Sequence, residues 1–131
     1  MDVDLSPSQR EAREEKEKGN ECYKKKDFEA AMKHYDKAIE LDPKDITYML
    51  NKAAVFFETG EYEKCQQVCE EAVEKGRENR ADYKLLAKAF ARIGNIYFKQ
   101  KDSKKALTWY HKSLSEYRDP SIVKRVQEVY C

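Results

Sequence analysis

A spacing of 34 residues constrains this chain more than any other feature of its sequence. Counted from Ala12, the residues Gly19, Ala31, Tyr35, Ala38 and Pro43 fall at the eighth, twentieth, twenty-fourth, twenty-seventh and thirty-second places. Counted again from Ile46, the first four of those places hold Ala53, Cys65, Cys69 and Ala72. A third copy, counted from Ala87, puts Gly94, Ala106, Tyr110 and Ser113 in register after seven extra residues. Small side chains at three of these places let two antiparallel helices and the next copy approach closely, and the aromatic at the twenty-fourth fills the gap between them. One such helix pair cannot bury its own apolar face, so the copies must stack.

Start and stop signals divide the copies into helices. Ser6, Pro7 and Gln9 form an N-terminal start, with Ser6 as cap and Gln9 three residues later. That first helix is expected to run to about Lys26. Asp27 caps a second helix over Phe28 to Leu41, which Asp42 and Pro43 close. Helices three and four are expected over about Asp45 to Glu58 and Glu61 to Lys75, divided by Thr59 and Gly60, with Gly76 ending the pair. From about Asn79 nothing breaks a helical pattern before Asp102, so the seven extra residues are expected to lengthen the fifth helix at its start. Seven residues are about two turns, which keeps the same face inward. A sixth helix follows over about Ser103 to Tyr117. Asp119 and Pro120 start a last one, whose Ile122, Val123, Val126, Val129 and Tyr130 form a stripe suited to covering the open end of the stack.

Length and charge narrow the function classes. The 131 residues are filled by three helical pairs and a closing helix, leaving no room for a fused catalytic domain. Lysine and arginine number 26 against 25 aspartates and glutamates, a net charge of +1, so no global field draws the chain to nucleic acid or an anionic membrane. No apolar run approaches the roughly 20 residues of a membrane span, and the polar start is not a secretory signal; the expectation is cytoplasmic. The irregularly spaced Cys22, Cys65, Cys69 and Cys131 read as reduced packing thiols. The sequence stops at Cys131 without a helix-stopping residue, which suggests a longer native protein.

The period and residue pattern resemble the tetratricopeptide (TPR) repeat. The resemblance covers nearly the whole chain. It implies an all-α, right-handed α-solenoid, one TPR domain over residues 1–131, with repeats at about 12–45, 46–79 and 87–120 and a closing helix over about 120–131. The seventh place of the repeat, usually leucine, is Lys18 in the first copy and Lys52 in the second; lysine can lay its methylenes along apolar surface while its ammonium stays in water.

In such a stack the first helix of each pair lines the concave side. Helical spacing puts Arg13, Lys16, Glu17, Asn20, Tyr23 and Lys24 on the inner face of the first. Thr47, Leu50, Asn51, Ala54, Phe57 and Glu58 share that face in the second copy. The third supplies Lys88, Ala91, Arg92, Asn95, Phe98 and Lys99. Lys88 and Arg92 are like charges four apart, an arrangement that costs helix stability and so can mark a functional site. Together with Lys16, Asn20 and Asn51 they make three cations and two amides around one end of a groove. That set suits an anion with two carboxylates, such as a peptide ending in aspartate. Any one of these residues alone would read as part of a solvated charged face; the convergence of all five argues for a site.

A closer resemblance follows from the same five residues. Lys16, Asn20, Asn51, Lys88 and Arg92 match, place by place, the two-carboxylate clamp of TPR cochaperones that bind the C-terminal EEVD of cytosolic heat-shock proteins 70 and 90. The stretches YKKKDFEAAMKHYDKAIELDP and GRENRADYKLLAKAFARIGN are similar to the middle TPR domain of the Hsp70-Hsp90 organising protein family. The resemblance implies that the five residues hold the terminal aspartate, and that Tyr23, Thr47, Ala54 and Glu58 contact the peptide upstream. Leu85 stands where that family has a polar residue. The partner so implied is the MEEVD tail of heat-shock protein 90. The tail of heat-shock protein 70, or an internal peptide motif, is the alternative. As an isolated domain the chain reads as a monomeric, non-enzymatic interaction module without a cofactor.

Other chemistry finds little support. Cys65 and Cys69 lie four apart on a helix, but they occupy core places, and His34 and His111 are the only imidazoles. Both histidines flank the twenty-fourth place and are expected to face solvent. No phosphate loop, nucleophile elbow or HExxH motif is present. The run Lys24, Lys25 and Lys26 complements a helix C-terminus rather than marking a nucleic-acid site.

Overall fold

The computed structural model describes residues 5–130; Cys131 lies outside them. Seven helices follow one another: α1 (Pro7–Lys24), α2 (Phe28–Leu41), α3 (Thr47–Glu58), α4 (Tyr62–Glu78), α5 (Tyr83–Lys99), α6 (Ser103–Glu116) and α7 (Pro120–Tyr130). No strand occurs among the described residues.

Local chemistry explains most boundaries. Ser6 and Gln9 form the expected capping box: Ser6 Oγ accepts from the Gln9 amide at 3.1 Å, and Gln9 Oε1 accepts from the Ser6 amide at 2.8 Å. Asp27 caps α2 by accepting from the Ala30 amide, and Asp102 caps α6 by accepting from Lys105. Between the helices of each pair the chain turns through one left-handed residue at the fifteenth place: Lys26, Gly60 and Lys101, with φ of 62°, 79° and 63°. In each turn the next amide, of Asp27, Glu61 or Asp102, donates back to the carbonyl of Cys22, Phe56 or Tyr97 at 2.9 Å. This six-to-one closure satisfies a carbonyl that the helix end would leave unpaired.

Gly76 does not end α4. It lies buried inside the helix, where a β-carbon would meet Leu86 Cδ2 at 2.8 Å and Ile46 Cδ1 at 3.0 Å. The glycine therefore serves the close approach of α4 to its neighbours. The stop comes later, at Arg80 with φ of 55°, where the Ala81 amide donates to the Gly76 carbonyl at 2.8 Å. The extra residues of the third copy are consequently shared. α4 has 17 residues against 14 in α2 and α6, and α5 has 17 against 12 in α3. Asp82 caps α5 by accepting from Lys84, so that helix starts at Tyr83 rather than near Asn79.

Helices pack as α1 with α2, α3 with α4, and α5 with α6, and each pair meets the next through α2 with α3 and α4 with α5. α3 also touches α5, which sets the first helices of successive pairs side by side. The small places explain the tight fit. A β-carbon on Gly19 would lie 2.6 Å from Tyr35 Cε1, and one on Gly94 would lie 2.5 Å from the Tyr110 ring. The second copy uses Ala53 with Cys69 instead, both fully buried. The largest core joins α3, α4 and α5 through Ile46, Leu50, Cys65, Cys69, Leu86, Ile93 and Ile96. Ser113 takes the place held elsewhere by alanine, and its hydroxyl donates to the Ala87 carbonyl at 2.8 Å, so its polar atom is satisfied in the core.

α7 packs against α6, and Arg125 lies over the Phe98 ring of α5 at 4.7 Å. Ile122, Val123, Val126 and Val129 are half-covered, but Tyr130 is 71% exposed. Among the described residues, then, α7 covers four of the five expected stripe positions in part and leaves the tyrosine outside. Neither lysine at the seventh place simply lies along the core. Lys52 pairs with Asp36 of α2 at 2.8 Å, and Lys18 pairs with Glu15 at 3.2 Å. Among the described residues no helix is long and apolar enough to cross a membrane.

Candidate functional site

The candidate site residues come from α1, α3 and α5. Lys16, Asn20 and Tyr23 sit on α1, Thr47, Asn51, Ala54 and Glu58 on α3, and Lys88 and Arg92 on α5. Lys88 and Glu58 are exposed; the other seven are half-buried. Spacing of three and four along each helix repeats the side-chain direction within that helix.

The structure brings some of these residues together directly. Lys88 and Arg92 line one cavity of about 410 Å³ between α5, α6 and α7, with Asn95 and Tyr117 on its wall. Tyr23 and Glu58 join α1 to α3: the phenol donates to Glu58 Oε1 at 3.4 Å, and its ring packs edge-on against Phe28 at 5.7 Å. Burial raises the Tyr23 pKa, and the Glu58 charge adds to that, while the positive charge of Arg92 opposes it. Arg92 is thus within electrostatic reach of the Tyr23–Glu58 pair. Thr47 is held at the start of α3 by a bond from its amide to Asp45 Oδ1 at 2.9 Å. Lys16, Asn20 and Asn51 are not part of the α5–α7 cavity.

Two donors of the set are unsatisfied. Asn51 Nδ2 and Arg92 Nε are buried without a hydrogen-bond partner. A buried donor without an acceptor costs about 1–3 kcal/mol, so such atoms in a native fold call for an explanation. Asn20 differs, because its Oδ1 accepts from the Tyr35 hydroxyl at 2.5 Å. The third copy repeats the arrangement, with Tyr110 donating to Asn95 Oδ1 at 2.6 Å. Asn95, which lines the α5–α7 cavity, stands at the ninth place, as Asn20 does in the first copy.

The remaining candidates resolve as structural groups. Cys65 and Cys69 are fully buried, and the Cys69 thiol is pushed up by its hydrogen bond to Cys65 and by burial. Among the described residues no group of three or more metal-ligating side chains comes together. His34 is partly exposed, and its Nδ1 also bonds Glu15 Oε1 at 3.1 Å, a glutamate that is only 5% exposed. The expectation missed only this partner: Glu15, on α1, is covered by α2 and finds its acceptor-side bond there. His111 is exposed, as expected.

Comparison with known proteins identifies the architecture. A tetratricopeptide repeat family model matches residues 45–119, and a second TPR repeat model matches residues 19–64. The chain belongs to the tetratricopeptide repeat family. Stress-induced-phosphoprotein 1 of Caenorhabditis elegans is 60% identical to this TPR chain over 115 residues, which are 88% of the chain and 36% of that protein. An Hsp70-Hsp90 organizing protein of Triticum aestivum is 49% identical over 121 residues, 89% of the chain and 21% of the relative. The TPR chain therefore spans about a third of the length of the first relative and about a fifth of the second. Among solved structures, the N-terminal domain of stress-induced protein-1 from C. elegans superposes with a TM-score of 0.83 at 55% identity, covering 97% of this chain and 100% of that one. The TPR2AB-domain:pHSP90 complex of yeast Sti1 superposes with a TM-score of 0.88 at 49% identity, covering 91% of this chain and 46% of that one. The matched regions are TPR domains of the Hsp70-Hsp90 organising protein family, the family read from the sequence, and one of the matched structures is an N-terminal domain where the sequence suggested the middle one.

Proposed function

We propose that this TPR domain is a cochaperone module that docks the extreme C-terminus of a cytoplasmic chaperone in extended form, with Lys16, Asn20, Asn51, Lys88 and Arg92 holding the two carboxylates of a terminal aspartate. The observation that carries the reading is the pair of unsatisfied donors, Asn51 Nδ2 and Arg92 Nε, within the five. Both residues are only partly buried overall, and a carboxylate docked beside them would give these donors the acceptor they lack. Charge-assisted bonds of this kind are the stronger class, and two amides among three cations add donors without adding repulsion. The yeast relative's structure with an Hsp90 peptide supports the choice of partner.

Preference between chaperone tails follows from the wall upstream. An EEVD end is common to heat-shock proteins 70 and 90, so the clamp alone does not choose. On this reading the upstream contact falls to Tyr23, Thr47, Ala54 and Glu58, of which Tyr23 and Glu58 are hydrogen-bonded; a surface beside the aromatic ring suits the unbranched thioether of MEEVD better than the isoleucine of IEEVD, which is stiff at its first torsion. The preference for MEEVD is expected at about 1 kcal/mol.

Calorimetry with matched pentapeptides at one salt concentration tests both steps. Amidating the C-terminus of MEEVD should abolish most of the binding; an internal-motif reader would bind the amide equally well. Equal affinity for the two free tails removes the upstream preference, and tighter binding of IEEVD reassigns the domain to heat-shock protein 70.

A further inference from the structure

We infer that Tyr35 is a positioning residue for the carboxylate site: its hydroxyl donates to Asn20 Oδ1 at 2.5 Å and so fixes which end of that amide is offered to the peptide. The inference rests on the carboxylate reading of the groove. An asparagine can present either a carbonyl or an amino group, and only the amino group attracts a carboxylate. With Oδ1 taken by the phenol, Nδ2 keeps both protons for an acceptor; among the described residues it makes no other hydrogen bond. The reverse orientation would aim an oxygen at the peptide.

The path of the ring supports this role. Tyr35 belongs to α2, is 2% exposed, and crosses beneath α1 at Gly19, where a β-carbon would lie 2.6 Å from its Cε1. Only a residue without a side chain admits the ring there, and the hydroxyl then arrives at the next residue, Asn20. The third copy has the same three parts, Gly94, Tyr110 and Asn95. The second has none of them: Ala53, Cys69 and Ala54 stand at those places. Glycine, tyrosine and asparagine therefore occur as a unit. Burial pushes the Tyr35 pKa up to about 12, which keeps the donor proton in place across the physiological range.

A double-mutant cycle separates positioning from packing, with calorimetry against a free-acid MEEVD peptide and circular dichroism as the check on folding. Tyr35→Phe keeps the ring and its contact with Gly19 while removing the hydroxyl. It should weaken binding about fivefold in the wild-type background, the scale of one hydrogen bond, and have no further effect in the Asn20→Ala background. Equal weakening in both backgrounds would mean a structural role and overturns the inference. Wild-type affinity for Tyr35→Phe while Asn20→Ala is weakened also overturns it, leaving the clamp reading intact. Wild-type affinity for Asn20→Ala overturns the clamp reading and the inference together. Independently of any variant, the Asn20 Nδ2 protons should shift in nuclear magnetic resonance spectra on titration with the peptide; unmoved resonances count against the inference.

Discussion

Gly94 and Tyr110 are so close that a β-carbon on the glycine would lie 2.5 Å from both Cδ1 and Cε1 of the ring. Tyr110 is fully buried and anchored by its bond to Asn95, so the ring has no free direction in which to yield. Gly94→Ala is therefore expected to destabilise the fold by about 1–3 kcal/mol, the usual range for an overpacked core. Thermal unfolding reads this as a lower Tm. Adding Tyr110→Cys copies the Ala53 and Cys69 pairing of the second repeat, and the double variant should cost less than the two single losses combined.

Alanine substitutions test the site directly. Lys88→Ala, Arg92→Ala and Asn51→Ala should each weaken a free-acid MEEVD peptide by about 1.5–3 kcal/mol, roughly ten- to more than a hundredfold. The exposed His111, changed to alanine, should leave affinity unchanged. If all three site variants bound as wild type with helicity intact, the carboxylate assignment would be wrong.

The left-handed turn residues predict a gain in stability. Lys26 and Lys101 hold φ of 62° and 63°, where an L-residue with a β-carbon is strained by about 1–2 kcal/mol. Glycine removes that strain but loses more backbone entropy, by about 0.5–1 kcal/mol. Lys26→Gly and Lys101→Gly should each stabilise the fold by about 0.5–1 kcal/mol net, seen as a raised denaturation midpoint. Gly60→Ala, at the equivalent place, should act in the opposite direction.

Glu15 makes stability depend on pH. Its pKa is lowered from 4.5, first by the hydrogen bond from His34, then by Lys18, against the opposing effect of burial. A carboxyl whose folded pKa lies below its unfolded value stabilises the fold above the unfolded pKa. That contribution is present above about pH 4.5 and is lost as pH falls through the lower folded value. Glu15→Gln should therefore lower the Tm at neutral pH, with the gap to wild type closing under acid conditions. A constant gap across that range would assign the effect to packing instead.

Much of this protein is legible in its sequence because its determinants are local or periodic. The repeat spacing, the small places and the helical direction of Lys16, Asn20, Asn51, Lys88 and Arg92 depend only on residue counts along single helices. The caps at Ser6 and Asp27 depend on side chains reaching amides three residues away. What the sequence leaves open involves residues from different helices. Gly76 looks like a helix stop, yet Leu86 and Ile46 make it a point of close approach, and α4 runs on to Glu78. Glu15 looks like one more surface charge until α2 covers it and His34 becomes its partner. The bond from Tyr35 to Asn20 is of the same kind, since its two ends lie 15 residues apart on opposite sides of a turn. Local rules set how each helix begins and which face it offers. Only the packed solenoid decides which polar atoms are shut away from water, and hence which of them must find one another.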